Sequence, residues 1–364
     1  MHYIGGMSQP QPKSPVVSPH RETFTYLKVV VAVLMSSVYC CGFAFEAFAA
    51  ERVLVKTPVL SLAFSPDGAN LIATSQEGLR IYRWPSLDLI SNDAVEAASR
   101  LIAEKVETPH TVTFSRFDSV FTVAGGIASQ NGALLNFSWP EFEPLQYSVA
   151  HSDSVMAACW MDAAQIVSGS MDGEIIIRAN VDQTLGSKSM TPTLKLRGHS
   201  KGVTSLCLAD DQHLISGGID HTLRVWNLKT HKVERTLNQH AGVITDLAPS
   251  PVISTPPIVA SSSEDQTVRL WQPTIGRLIR FTKLEATPLK IAWLANRDHD
   301  QINLLIAACS DGTIQIIDPQ TAAVIKQIDT DLKRIFSLAL HPSDDSAAVG
   351  GDRGQIIRIN LDVK

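Results

Sequence analysis

Apolar residues recur along residues 51–363 with the two-residue period of β-strands, and this pattern itself repeats. Each copy begins with an apolar run that ends in small residues, passes through a turn with a polar residue, and continues as an alternating strand. The four clearest copies are QIVSGSMDGEIIIRAN from Gln165, HLISGGIDHTLRVWNL from His213, IVASSSEDQTVRLWQP from Ile258 and LIAACSDGTIQIIDPQ from Leu305. Successive turn aspartates are 48, 45 and 46 residues apart: Asp172, Asp220, Asp265 and Asp311.

Three weaker copies bring the number of units to seven. They begin at Leu71, Phe121 and Ser346, and we align their turns on Glu77, Asn131 and Asp352. The mean spacing is about 46 residues, which is typical of a propeller blade made of several short strands. The sequence therefore predicts an all-β, seven-bladed β-propeller of four-stranded antiparallel blades over residues 50–364.

The last unit lacks an outer strand, because the chain ends shortly after its third strand. The segment ERVLVK, Glu51–Lys56, is a strand without a unit of its own. We predict that this N-terminal strand completes the last blade, since a free strand edge would otherwise be open to pairing with other chains.

The N-terminal segment has the pattern of an export leader. Residues 1–28 are polar and proline-rich, and we expect disorder there. Val29–Phe45 contains no charged residue, and Ala47 and Ala49 form an A-x-A arrangement. Residues 29–49 therefore predict a signal peptide cleaved after Ala49, and an exported, periplasmic or cell-surface protein. The alternative is an uncleaved membrane anchor at residues 29–45, which is at the short limit for a spanning helix.

Composition restricts the choice of partner. The formal net charge is −5, which disfavours nucleic acid, since phosphate binding requires a basic surface.

Outside the leader, the cysteines are Cys159, Cys207 and Cys309. Each lies in an apolar segment, so we interpret them as buried free thiols rather than as a disulfide framework.

Two units carry polar residues whose arrangement resembles the WD-repeat family of β-propellers, including its exported bacterial members. The first has Gly198-His199, Ser216, Asp220 and Trp226; the second has His240, Ser261, Asp265 and Trp271. The resemblance implies that each group of His, Ser, Asp and Trp forms one hydrogen-bonded set. An unpaired buried polar group costs roughly 1–3 kcal/mol, which is a physical reason for such sets.

Three other units depart from the family pattern at the tryptophan position. The third unit has His151, Ser168 and Asp172 but Arg178 in place of Trp. The same alignment places Ile317 in the sixth unit and Arg358 in the seventh. We expect these blades to be held mainly by packing.

Sequence motifs do not indicate catalysis. There is no Gly-x-Ser-x-Gly, HExxH or P-loop motif in the sequence. The loop Arg297–Gln301 contains Asp298, His299 and Asp300, which could ligate a metal, but we interpret it as a solvated loop. Asn136-Phe137-Ser138 matches a glycosylation acceptor, although it falls in a predicted strand. We therefore expect a non-enzymatic protein without a metal or cofactor.

The WD-repeat resemblance places partner binding on the face that carries the hairpin turns and the connections between units. The candidate contacts beside the turn acids are Met171, Ile219, Glu264 and Ser310. The candidates on adjoining loops are Asp153, Lys201, Lys290 and Arg334. The predicted function is a monomeric protein-interaction scaffold. The alternative is a propeller enzyme or a cofactor or small-ligand binder, lactonase-like or quinoprotein-like, that uses the channel mouth.

Overall fold

The computed structural model describes residues 57–116, 119–179, 192–295 and 303–361. The predicted leader (1–28), the signal peptide or anchor (29–49), the closing strand Glu51–Lys56 and the charged loop Arg297–Gln301 lie outside the described residues. Over the described ranges, no helix combines the length and the apolar character needed to cross a bilayer.

The described strands form seven antiparallel sheets that follow one another along the chain. Blade 1 contains β1 (Ser61–Phe64), β2 (Asn70–Ser75), β3 (Gly78–Arg83) and β4 (Asp88–Ile90). Blade 2 contains β5 (Pro109–Phe114), β6 (Val120–Ile127), β7 (Asn131–Ser138) and β8 (Pro144–His151). Blade 3 contains β9 (Val155–Trp160), β10 (Gln165–Ser170), β11 (Glu174–Ala179) and β12 (Pro192–Arg197).

The next three blades have the same order. Blade 4 contains β13 (Val203–Asp210), β14 (His213–Gly218), β15 (Leu223–Asn227) and β16 (Lys232–Leu237). Blade 5 contains β17 (Ile244–Pro249), β18 (Val259–Ser263), β19 (Thr267–Gln272) and β20 (Arg277–Lys283), with a 3-10 turn at Pro273–Ile275. Blade 6 contains β21 (Pro288–Leu294), β22 (Leu304–Cys309), β23 (Thr313–Asp318) and β24 (Ala323–Asp329).

Blade 7 contains β25 (Ile335–Leu340), β26 (Ser346–Gly351) and β27 (Ile356–Asn360) within the described part of the chain. The prediction of an all-β, seven-bladed propeller with four-stranded antiparallel blades is confirmed. The first strands of neighbouring blades contact one another around a closed ring, from β1 through β5, β9, β13, β17 and β21 to β25 and back to β1.

Described residues close the ring between blade 7 and blade 1. The backbone N–H of Val59 donates to the Gly351 carbonyl at 3.1 Å, and Ser337 Oγ donates to the Val59 carbonyl at 2.9 Å. Leu62 and Tyr82 of blade 1 share an apolar cluster with residues of blade 7. This seam is therefore packed and hydrogen-bonded independently of the predicted closing strand.

Both faces of a blade are buried, because each packs against a neighbour. The second strands show this most clearly: β26 is buried at all six positions. The apolar clusters combine residues from adjacent blades, such as Val225 of blade 4 with Val259 of blade 5. Burial on both faces explains why these strands are continuous apolar runs rather than strict alternations.

A helix that the repeat pattern did not predict lies between blades 1 and 2. Helix α1 (Asp93–Lys105) begins at Asn92, whose Oδ1 accepts from the Val95 N–H at 2.9 Å. Its buried residues are spaced to form one face: Val95, Ala98 and Ile102. Because β4 has only three residues, it leaves part of β3 without a strand partner, and Ser99 Oγ of α1 accepts from the Leu79 N–H at 3.0 Å.

Strand register corrects the alignment of the seventh unit. In blade 4, Gly218 pairs with Thr222, so Asp220 is the middle residue of the three between them. In blade 7, Gly351 pairs with Gln355, so Arg353 holds the middle place and Asp352 the first. Leu214 opposes Trp226 in blade 4, and the equivalent pair in blade 7 is Ala347 and Ile359. The tryptophan position of blade 7 is thus Ile359, and the prediction of Arg358 was wrong because the acid, rather than the strands, was aligned.

Candidate functional site

The four polar residues of blade 4 form one connected set. His199 Nδ1 lies 3.0 Å from both carboxylate oxygens of Asp220, and His199 Nε2 lies 2.6 Å from Ser216 Oγ. Trp226 Nε1 donates to Ser216 Oγ at 2.8 Å. An indole N–H only donates, so the hydroxyl donates onward to Nε2, and the neutral imidazole carries its proton on Nδ1 and donates it to Asp220.

Blade 5 repeats this arrangement. His240 Nδ1 lies 2.8 Å from Asp265 Oδ2, and His240 Nε2 lies 2.7 Å from Ser261 Oγ. Trp271 Nε1 donates to Ser261 Oγ at 2.8 Å. Each set crosses a blade boundary, because its histidine lies in the connection that follows the outer strand of the preceding blade. The sets therefore tie neighbouring blades together.

In blade 3 a guanidinium takes the place of the indole. His151 Nδ1 lies 3.1 Å from Asp172 Oδ2, and His151 Nε2 lies 2.9 Å from Ser168 Oγ. Arg178 Nη1 donates to the same Ser168 Oγ, and Arg178 Nε donates to Ser148 Oγ of blade 2 at 3.2 Å. The Arg178 side chain is fully buried. Arginine therefore supplies the donor that tryptophan supplies in blades 4 and 5, so blade 3 has a polar set beside its buried apolar residues.

The position of the balancing cation differs between these blades. Asp220 has Arg224 at 3.9 Å, and Asp265 has Arg269 at 3.5 Å. Both arginines lie opposite the serine of the set in the strand register, and blade 3 has Ile176 there. Blade 3 thus has its arginine at a different position of the third strand, where the side chain is fully buried, whereas Arg224 and Arg269 are partly exposed.

The face of blade 2 that meets Arg178 is polar. Ser148, Gln146, Asn136 and Thr122 are all buried, and Thr122 Oγ1 donates to Asn136 Oδ1 at 2.8 Å. Asn136 Nδ2 donates to Gln146 Oε1 at 3.4 Å. The asparagine of the glycosylation motif is therefore enclosed between strands, so the folded protein does not present it to a glycosylating enzyme.

Burial and charge set the ionisation of these sets. Burial lowers the pKa of His151, His199 and His240, and their aspartate partners only partly offset this effect. Burial alone would raise the pKa of Asp172, but hydrogen bonds from His151 and from the Glu174 N–H lower it to about 2. The pKa values of Asp220 and Asp265 are lowered in the same way. At neutral pH the sets contain neutral histidines and ionised aspartates.

Four of the predicted partner contacts occupy the same place in four successive blades. Each is the first residue of its turn: Met171, Ile219, Glu264 and Ser310. Each donates its backbone N–H to the carbonyl of the residue that directly precedes the innermost strand of its blade. In chain order these acceptors are Ser154, Gly202, Val243 and Thr287, at 3.0, 2.8, 2.9 and 2.8 Å. The shared backbone bond fixes these residues on one face of the propeller.

A cavity of about 670 Å³ opens at the centre of this face. Of the eight predicted contacts, four line it: Glu264, Ser310, Lys290 and Arg334. Met171, Ile219, Asp153 and Lys201 do not line it. Asp153 instead accepts hydrogen bonds from the N–H groups of Ser129 and Ser154, at 2.8 and 2.7 Å.

The cavity wall is built from a ring of β-bulges that sequence reasoning missed. In blades 2–7 the innermost strand has one extra residue relative to its partner, between Pro109 and Thr111 in blade 2, for example. The extra residues all line the cavity: His110, Met156, Thr204, Thr245, Leu289 and Phe336. Leu60 lines it from blade 1. A bulge redirects a side chain, and here it turns one side chain per blade toward the axis.

Polar side chains at the cavity differ in the partners that they bind. Thr204 Oγ1 donates to the Ile244 carbonyl at 2.5 Å, and Thr245 Oγ1 donates to the Pro288 carbonyl at 2.6 Å, which links successive blades. Lys290 Nζ lies 3.5 Å from Asp246 Oδ1. Burial lowers the pKa of His110.

Side chains of the metal-ligating types do not gather in the described ranges. No group of three or more His, Cys, Asp or Glu residues there is arranged to hold a metal ion. Asp298, His299 and Asp300 lie outside those ranges. Cys207 and Cys309 are buried free thiols, and Cys159 is a half-buried one.

Comparison with known proteins identifies the repeats. The family model "WD domain, G-beta repeat" matches residues 190–227 and 231–272. These ranges run from the outer strand of one blade to the third strand of the next, so each contains one complete His-Ser-Asp-Trp set.

Several curated eukaryotic proteins are similar to part of the chain. A "Ribosome biogenesis protein WDR12 homolog" of Ixodes scapularis is 30% identical over 37% of this chain and 31% of its own length. A "p21-activated protein kinase-interacting protein 1-like" of Xenopus laevis is 25% identical over 52% of this chain and 50% of its own. "Eukaryotic translation initiation factor 3 subunit I" of Culex quinquefasciatus is 26% identical over 51% and 59%.

The chain spans between 31% and 59% of the length of these three relatives. They are eukaryotic, and their names do not describe export, so they give no support to the expected resemblance to exported bacterial proteins. Blades 4 and 5, each with the preceding outer strand, match the model of the WD40 G-beta repeat within a seven-bladed propeller.

Proposed function

We propose that this protein is a monomeric, non-enzymatic scaffold that binds protein partners on the turn-bearing face around the cavity mouth. One observation carries the proposal: six bulges at equivalent places direct six different side chains into one cavity. Loops and turns on a rigid frame are suited to recognition, because the frame restricts their conformational freedom before binding.

The relatives support an interaction function without identifying a partner. One is named an interacting protein and another a subunit of an initiation factor. These names describe those proteins. For this chain they favour a binding surface over an active site.

We further propose that the protein is exported to the periplasm or cell surface, or remains anchored by residues 29–45. The proposal rests on the uncharged run Val29–Phe45 followed by Ala47 and Ala49. N-terminal sequencing of the protein from its source cells tests it. A chain beginning at Ala50 supports cleavage, a membrane-bound chain retaining Val29 supports the anchor, and a soluble full-length chain contradicts both.

Affinity purification of the tagged full-length chain tests the binding face. The face variant is Ile219→Glu combined with Ser310→Glu, and the control is Arg277→Ala on the outer strand β20. We expect proteins that co-purify with the wild type and the control to be depleted with the face variant. Equal recovery with all three chains would contradict the proposed face. Light scattering of the purified chain gives its mass, and a dimer would contradict the monomer.

A further inference from the structure

The bulge ring is uneven in polarity, and this unevenness restricts what the cavity can bind. The Thr204 and Thr245 hydroxyls are already bound to carbonyls of the next blade. Three of the other bulge residues are apolar, Met156, Leu289 and Phe336, and so is Leu60 of blade 1; the sixth bulge residue is His110. A bound group therefore meets apolar surface on several blades.

The charged groups of the lining are also unevenly distributed. Arg334 is exposed, and its guanidinium carbon lies 5.8 Å from the centre of the Phe336 ring, with no carboxylate paired to it in the described part of the chain. Lys290 of the neighbouring blade has Asp246 at 3.5 Å, so its charge is already partly balanced. Glu264 is the acidic residue of the lining, and it lies on blade 5.

We propose that the cavity mouth binds an extended protein segment in which an acidic side chain adjoins a bulky apolar side chain. The carboxylate pairs with Arg334 on the blade 6–7 side, and the apolar side chain lies against Phe336, Leu60 and Leu289 of the adjacent blades 7, 1 and 6. The inference rests on the proposed function, because it specifies the partner of that same face.

Electrostatics favours an acidic segment over a basic one. Arg334 offers a planar guanidinium that can form two parallel hydrogen bonds to one carboxylate. A basic side chain on that side would face both Arg334 and Lys290. Glu264 repels a carboxylate from blade 5, so it orients the segment with its acidic residue toward blades 6 and 7.

The apolar neighbour strengthens this pairing. A charged pair is worth more where water is excluded, and apolar contacts around a charged anchor exclude water in protein interfaces. The Phe336 ring beneath Arg334 supplies such a surface next to the cation. The adjoining apolar side chain is therefore part of the recognition.

Fluorescence anisotropy with short labelled peptides tests the assignment. The peptides have acetylated and amidated ends, a Gly/Ser frame and a central Glu-Leu, Gln-Leu, Lys-Leu or Glu-Ser pair. A further peptide ends in a free Leu carboxylate. We expect the Glu-Leu peptide to bind the full-length chain about tenfold more tightly than the Gln-Leu or Lys-Leu peptides. We also expect the Glu-Leu peptide to bind more tightly than the Glu-Ser peptide.

Variants locate the binding. Arg334→Ala should weaken Glu-Leu binding about tenfold, and the exposed control Arg277→Ala should leave it unchanged. Equal binding of the Glu-Leu and Lys-Leu peptides, no Glu-Leu binding at millimolar concentration, preference for the free Leu carboxylate, or no effect of Arg334→Ala would overturn the inference. If partners are still lost with the Ile219/Ser310 face variant, the binding face stands and only the acidic-segment assignment fails.

Discussion

The Arg178 guanidinium donates to Ser168 Oγ and thereby replaces the indole that bonds to the equivalent serine in the next two blades. The order of hydrogen bonds is the same in all three blades: an N–H group donates to a hydroxyl, the hydroxyl to an imidazole, and the imidazole to a carboxylate. The chemical difference is a buried positive charge. Burial lowers the pKa of Arg178 to about 10, which leaves it protonated at neutral pH.

We predict that Arg178→Ala destabilises the fold by about 3 kcal/mol, because it removes the donor to the buried Ser168 and Ser148 hydroxyls and a positive charge that interacts with Asp172. Arg178→Trp should also destabilise it, since the indole would lie against polar Ser148 and carry no charge. Adding Ile176→Arg to Arg178→Trp should recover part of the loss, because it reproduces the arginine that lies opposite the serine and near the aspartate in blades 4 and 5. Denaturant unfolding measures all three. A double variant no more stable than Arg178→Trp alone would contradict the charge-balance account.

We predict that stability decreases as the pH falls below about 6.5. The folded-state pKa values of His151, His199 and His240 are lowered, so the unfolded chain binds protons that the folded chain does not. The stabilisation is complete above the unfolded pKa and is lost as pH falls toward the folded values. Asp172 adds a further loss between its ordinary pKa and about 2.

The free energy of unfolding between pH 7 and pH 5 measures this dependence. His199→Gln should reduce the slope by about one histidine's contribution. Thr236→Val, an exposed change on β16 that alters no titratable group, should leave the slope unchanged. A pH-independent wild type, or the same slope in the His199 variant, would refute the explanation.

We predict that the inter-blade bond of Thr245 stabilises the ring. Thr245→Val keeps the β-branched shape but removes the hydroxyl that donates to the Pro288 carbonyl, and it should cost about 1–2 kcal/mol. The exposed Thr236→Val on β16 is the control. Calorimetric melting of the two variants compares them, and equal midpoints would show that the hydroxyl contributes nothing.

We predict that deleting Arg52–Lys56 lowers the melting temperature and promotes aggregation. The deletion removes the strand expected to cover the edge of β27. The seam formed by Val59, Gly351 and Ser337 is retained, so loss of stability in the deletion reports on the closing strand alone. Unchanged melting and solubility would rule out closure by this strand.

The blade count could be predicted from sequence because apolar runs and turn residues repeat at a nearly constant spacing. Helix α1 could not, since it interrupts the repeat only once and has no counterpart in other blades. The seventh turn was misaligned because its acidic residue, Asp352, lies one residue before the middle position that Asp220 occupies in blade 4. Strand pairing, not the turn acid, defines the equivalent residue.

The candidate site was predictable only in part, for a physical reason. Glu264 and Ser310 lie in turns that the sequence reveals, and Arg334 directly precedes β25; Lys290, predicted on a loop, lies instead within β21. The bulge residues lie within strands, and a bulge becomes visible only when both partners of the register are known. In the sequence, Arg178 indicated that the polar set of blade 3 is incomplete, because a family pattern records residue types. In the structure, Ser168 requires only a hydrogen-bond donor, and arginine supplies one.

Site-specific photo-crosslinking in the source cells tests the central claim most directly. A photoreactive residue placed at Ile219 or Glu264 reports on the turn-bearing face, and one at Val149 or Ile325 reports on exposed outer strands. The account predicts that the two face positions crosslink the same partner protein and that the outer positions do not. Crosslinking of that partner only from Val149 or Ile325 would contradict the claim that the face around the cavity mouth is the docking surface.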